Sequence, residues 1–246
     1  MSDALRYQKS IAGIIERLPQ IPFNIQQVSA AVQREDMDAQ KLGQILSKDA
    51  SLAAKILKTV NSAAFGLMRT VSDISWAVTI LGLQGVRDTL LSKTSFSLLT
   101  AGKTISPLQK KHFVNVAEVG TKICGLIHRK DISGELYASG LVHDFGEVLF
   151  EQAGCSMQAP KLGLDHGEYG ARLLEKWNFP EILVMMVRFH HKPVRAPENF
   201  RFHTHVLYIA EMICSAKPGA PPDDPYLEQA KEFIKLAEKN YQKLLT

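Results

Sequence analysis

The sequence predicts an all-α protein, on three observations. Apolar residues recur at three- and four-residue intervals in almost every segment. No run alternates convincingly with period two, and capping residues stand repeatedly just ahead of the periodic stretches.

The elements follow in order. Leu5, Ile11, Ile14, Ile15 and Leu18 form one stripe that stops at Pro19. Asn24 is placed to cap "IQQVSAAVQRE", Asp38 to cap "AQKLGQILSKD", and Ser51 stands at the start of "SLAAKILKTVNSAAF". Ser72 or Asp73 opens "ISWAVTILG", and Gly82 and Gly85 lead into "VRDTLLSKTSFSLL". A break follows at 100–107, "TAGKTISP", and places a subdomain boundary between residues 1–103 and 104–246. Ser106 followed by Pro107 is a cap and first-turn pair, starting a helix to about Arg129. Further helices are expected over 133–151, 166–177, 180–191, 202–216 and 225–245, with a loop at 216–225, "AKPGAPPDDP".

With 46% hydrophobic and 22% charged residues, a 246-residue chain buries an ordinary core. The net charge of +4 is mild, and basic residues are interleaved with acids, so no nucleic-acid footprint is expected. Cys124, Cys155 and Cys214 are far apart and lack CxxC spacing, which argues for a reducing compartment and against a disulfide framework. With no secretory h-region and no run of eighteen apolar residues, a cytoplasmic protein without a membrane span is expected.

All eight histidines lie in the second half. By residue type the candidate ligands are His112, His143, Asp144, His166, His190, His191, His203, His205 and Glu211. Imidazoles and carboxylates suit borderline or hard divalent ions such as zinc, manganese or iron. No compact motif such as HExxH is present. Local spacing therefore leaves each residue open between ligation and plain ion pairing or backbone hydrogen bonding. In "YASGLVHDFGEVLF", His143 and Asp144 interrupt an apolar run, about 100° apart if helical, so both can reach one ion. His203, Leu207, Ala210, Glu211 and Cys214 share one helix face, which turns Glu211 inward. His190 and His191 end their helix, where the dipole favours imidazolium without any metal.

Taken together these motifs resemble the HDOD family, a branch of the HD-domain superfamily, over nearly the whole chain. In the first half the resemblance rests on "LPQIP", "KDASLAAKILKTVNSAAFG" and "AVTILGLQGVRDTLL". The second half is similar to HD metal-dependent phosphohydrolases, through "HFVNVA", "GLVHDFGEVLF", "DHGEYGARLLEKWNFPEILVMMVRFHHKP" and "VLYIAEMI". The resemblance implies a helical N-terminal subdomain followed by an HD-like bundle. It further implies one or two divalent ions (iron, manganese or zinc) held by His112, His143, Asp144, His166, His190, His191 and Glu211, with His143 and Asp144 as the catalytic dyad. Three departures stand out: Glu147 replaces a common lysine, Glu211 an aspartate, and "KPVRAPENF" carries no GYP signature.

The first functional expectation is therefore a bacterial signal-transduction module acting through protein or nucleotide-ligand binding. Its implied partners are proteins of two-component or cyclic dinucleotide pathways. The alternative is a metal-dependent phosphohydrolase acting on a phosphodiester or phosphomonoester, with Arg172, Lys176 and Arg188 as candidate phosphate contacts. The small-residue turn "NSAAFG", 61–66, reads either as a docking feature or as close helix packing.

Overall fold

In the computed structural model, which describes residues 3–101, 105–216 and 224–245, helices carry the whole architecture and no strand occurs among the described residues. The first half contains α1 (Asp3–Arg17), α2 (Phe23–Val32), α3 (Ala39–Ser47), α4 (Ala50–Val60) and the long α5 (Ile74–Thr100). The second contains α6 (Pro107–Leu126), α7 (Ser133–Gly140), α8 (Phe145–Ala153), α9 (His166–Lys176), α10 (Glu181–Phe189) and α11 (Glu198–Ser215). It ends with α12 (Leu227–Phe233) and α13 (Glu238–Leu245).

Several helix starts match the expected caps. The Asp38 carboxylate accepts from the Lys41 amide, and Asp73 accepts from that of Trp76. Ser106 and Gln109 form a reciprocal capping box ahead of α6. Others differ. Pro22, not Asn24, precedes α2, and Asn24 instead donates to Asp49 at 2.9 Å. Asp49 caps α4 through the amides of Ser51 and Leu52, so Ser51 sits inside the first turn. Gly82 bends α5: at φ 74° it leaves helical geometry where a Cβ would be strained.

The later boundaries are also revised. α6 stops at Leu126, just before His128 turns to positive φ. The expected 133–151 helix is two helices, and its break falls at 141–144, on the His-Asp pair itself. The 225–245 segment likewise divides, beside the positive-φ Lys235. The 103/104 boundary and residues 217–223 of the expected loop lie outside the described residues.

One apolar cluster runs from Ile11 to Tyr241 through both halves. α1 is tied to the second half by polar contacts as well. Lys176 at the end of α9 donates its ammonium to the carbonyls of Ile15, Glu16 and Leu18, and the Trp177 indole donates to Pro19 O at 2.9 Å. Those carbonyls belong to the last turn of α1 and the residues just beyond it, where intrahelical partners run out.

Candidate metal centre

Helix ends deliver most of the site. The Gly140 carbonyl closes α7 without an intrahelical partner, and the His143 Nδ1–H donates to it at 2.9 Å. At the end of α10 the His190 Nδ1–H donates to Val187 O at 2.6 Å in the same way. A carbonyl can only accept, so both rings carry the Nδ1 proton and direct Nε2 inward. His166 opens α9, which Asp165 caps, and its Nδ1 meets the Glu147 carboxylate at 3.0 Å. His112 comes from the second turn of α6 and Glu211 from the buried face of α11.

Close backbone packing allows this convergence. A Cβ on Gly146 would fall inside the His166 carbonyl, so α8 can approach α9 this closely only with glycine there.

The Asp144 carboxylate stands between two groups. Its Oδ2 lies 3.2 Å from His143 Nε2 and 3.6 Å from His112 Nε2. Its Oδ1 lies 3.4 Å from Nε2 of both His166 and His190. Glu211 Oε2 completes the first group, at 2.8 Å from His143 and 3.1 Å from His112. His191 Nε2, 3.1 Å from that of His166, completes the second. Within each set of four, ligand atoms lie within 4.8 Å of one another.

The donor set fits a divalent cation. Imidazole nitrogens point at one another at 3.1–3.3 Å, a spacing that lone pairs do not choose without something between them. Asp144 Oδ1 and Glu211 Oε2 are buried and turned toward these same imidazole nitrogens. Nitrogen and carboxylate donors suit zinc, manganese or iron.

In the absence of metal, protons take part of the role. Hydrogen bonds to Asp144 and Glu211 raise His112 to about 9. Burial opposes charging His166, but Asp144 and Glu147 prevail and raise it to about 9. His143, fully buried, is likewise held well above the ordinary imidazole range by Asp144 and Glu211. Both carboxylates are held well below theirs by these imidazoles, despite burial. His191 goes the other way, to about 3, from burial and from the charges of His190 and His166.

All seven residues expected as ligands are therefore brought together, but the dyad is presented by a turn rather than a helix. His203 and His205, candidates by type alone, lie elsewhere; His205 bridges Arg201 O and the Tyr226 hydroxyl. The three expected phosphate contacts are engaged structurally. Arg188 pairs with Glu168 and Glu175, Arg172 pairs with Glu168, and Lys176 holds α1. Glu147, noted in the sequence only as a departure, turns out to hold a ring. Its signal was available: it stands three residues beyond Asp144, within reach of the same space.

The HDOD domain model matches residues 18–158, and the HD domain model matches 110–232. An uncharacterized protein of Treponema pallidum is 29% identical over 251 residues, covering 92% of this chain and 48% of that protein. This chain thus spans about half the length of that relative. Two solved structures share the fold. One, from Shewanella amazonensis and named as a candidate phosphohydrolase, has a TM-score of 0.68 at 22% identity, covering 96% of this chain and 93% of that one. The other is an HDOD domain protein with unknown function from Geobacter sulfurreducens, with a TM-score of 0.65 at 19% identity, covering 98% and 87%. Among the described residues no helix is long and apolar enough to cross a membrane.

Proposed function

This chain belongs to the HDOD domain family, and we propose that it carries a two-ion divalent-metal centre that hydrolyses a phosphoester. One observation carries the reading: the two oxygens of Asp144 face two separate ligand groups, His112–His143–Glu211 and His166–His190–His191. A simple neutralising pair would need one histidine. If bound there, divalent ions would supply Lewis acidity toward a phosphoryl oxygen and a lowered pKa for a water. The chain's own residues do the rest. Gly140 O, Val187 O and Glu147 orient the three rings, and the apolar packing of Phe113 against His143 keeps one side of the centre dry. His112 and Asp144 are partly exposed, which leaves the centre reachable by substrate. A neighbour in fold named as a candidate phosphohydrolase supports the reading.

The sequence reading ranks the signalling role first; we rank the phosphohydrolase ahead of it because one carboxylate faces both ligand groups. One observation favours the binding-module reading as second. Arg172, Lys176 and Arg188 are all engaged elsewhere, so none of the three is left to clamp a phosphate. In that case the centre would serve structure or sensing, with signalling proteins of two-component or cyclic dinucleotide pathways, or a nucleotide ligand, as its counterparts.

Metal analysis of the purified protein, reconstituted with manganese, iron or zinc, separates the two when paired with hydrolysis of bis(p-nitrophenyl) phosphate. Stoichiometric metal and turnover, both lost in His143→Ala and Asp144→Ala, support the enzyme. Stoichiometric metal without turnover on this diester or on p-nitrophenyl phosphate favours the binding module, as does binding in a screen against cyclic dinucleotides. No metal after reconstitution overturns the centre itself.

A further inference from the structure

A second concavity lies about 20 Å from the histidine cluster along α6, judged from the residues between His112 and Leu126 at 1.5 Å each. Its volume is about 640 Å³, within the range of small-molecule sites. The floor is apolar and built of small groups from the 61–66 turn, Ala63, Ala64 and Gly66, with Phe65 tilted onto Tyr137 at 5.9 Å. The turn ends on Gly66 at φ 57°, which lets the chain reverse and keeps the wall concave.

Charge at the rim has one sign. Lys122 from α6, Lys130 from the turn after it and Lys243 from α13 converge there, and no carboxylate is among the described lining residues. Lys122 and Lys130 are exposed and make no ion pair among the described residues, whereas neighbouring Arg129 is paired with Asp131 at 2.8 Å. The like charges of Lys122 and Lys130 at the edge of one apolar hollow repel each other until an anion offsets them. A packing defect between helices would give no reason for that charge.

We propose that this cavity binds a small organic anion, its apolar body against the 61–66 turn and its carboxylate, sulfonate or phosphate among Lys122, Lys130 and Lys243. The size of the hollow fits a single ring system or short acyl chain rather than a helix laid along a groove. Of the small residues in this turn Ala64 is buried, while Ala63 and Gly66 stay exposed and leave the wall open to a ligand.

The probe is 8-anilinonaphthalene-1-sulfonate, an aromatic anion whose fluorescence reports burial, titrated into the full chain. One saturable site is expected, weakened about tenfold in Lys122→Glu/Lys130→Glu and weakened by salt. Ala63→Trp, at an exposed lining position, fills the hollow and abolishes binding, while His143→Ala leaves it unchanged. Because the lysines and Ala63 are exposed, these variants keep the fold, which a circular-dichroism melt checks. Binding that ignores both the charge reversal and the tryptophan, binding at several equivalent sites, or no binding overturns the proposal. So does displacement of the dye only by an acidic peptide and not by small aromatic or acyl anions.

Discussion

The Glu147 carboxylate stands 3.0 Å from Nδ1 of His166, and the Nε2 of that ring stands 3.4 Å from Asp144. A residue outside the ligand set thereby fixes the tautomer and aim of one inside it. Partners of this kind commonly change metal affinity by roughly 10- to 100-fold. Glu147→Ala should therefore weaken manganese or zinc binding within that range, in isothermal titration. Glu147→Gln keeps an acceptor oxygen and should recover most of it. Unchanged affinity in the alanine variant would mean that packing alone aims His166.

How much of this was legible beforehand differs by level. Helical periodicity and the caps at Asp38, Asp73 and Ser106 were readable because they are local. The ligand set was assembled through family resemblance; spacing could not join His112 to Glu211, nearly a hundred residues apart, because only the packing of α6 against α11 does that. The break at 141–144 was hidden, since "GLVHDFGEVLF" continues a helical pattern straight through it. The duties of Lys176 and Arg188 were equally invisible, for their partners lie on other helices.

Lys176 gives a clean control. Its ammonium satisfies three carbonyls at the end of α1, and hydrogen bonds to charged groups contribute roughly 1.5–3 kcal/mol each. Because water can replace part of this at a half-buried site, Lys176→Ala should lose about 1–3 kcal/mol in urea denaturation. Metal affinity should not change. Loss of turnover with unchanged stability would instead restore Lys176 as a phosphate contact.

A second titration lies away from the histidines, where α5 meets α7. Burial, with the nearby Asp88 adding to it, raises Glu135 to about 7. Asp88, buried beside Arg87, is itself raised to about 6 by burial. A raised carboxyl binds more protons folded than unfolded, so its contribution is present below its ordinary value and is lost as pH rises through 7. The melting temperature should fall between pH 5 and 8, and Glu135→Gln should flatten that fall. An identical slope in the variant would assign the effect to other groups.

Metal and protons should compete for the same nitrogens. His112 and His166 are held up to about 9 without metal, so at neutral pH they carry protons that ligation must displace. Affinity should thus rise with pH up to about 9 and weaken as pH falls. Calorimetry in buffers of different ionisation enthalpy should detect proton release on binding. The metal-free protein has the reverse dependence. The imidazolium contribution to its stability is complete below the ordinary histidine value and disappears as pH rises through 9. The depressed Asp144 and Glu211 contribute above the ordinary carboxylate range, and that part is lost only as pH falls through their low folded values. The stabilising effect of added manganese on the melting temperature should therefore be small near pH 5.5 and large near pH 8.5. A metal-induced shift independent of pH would place the ion away from these histidines.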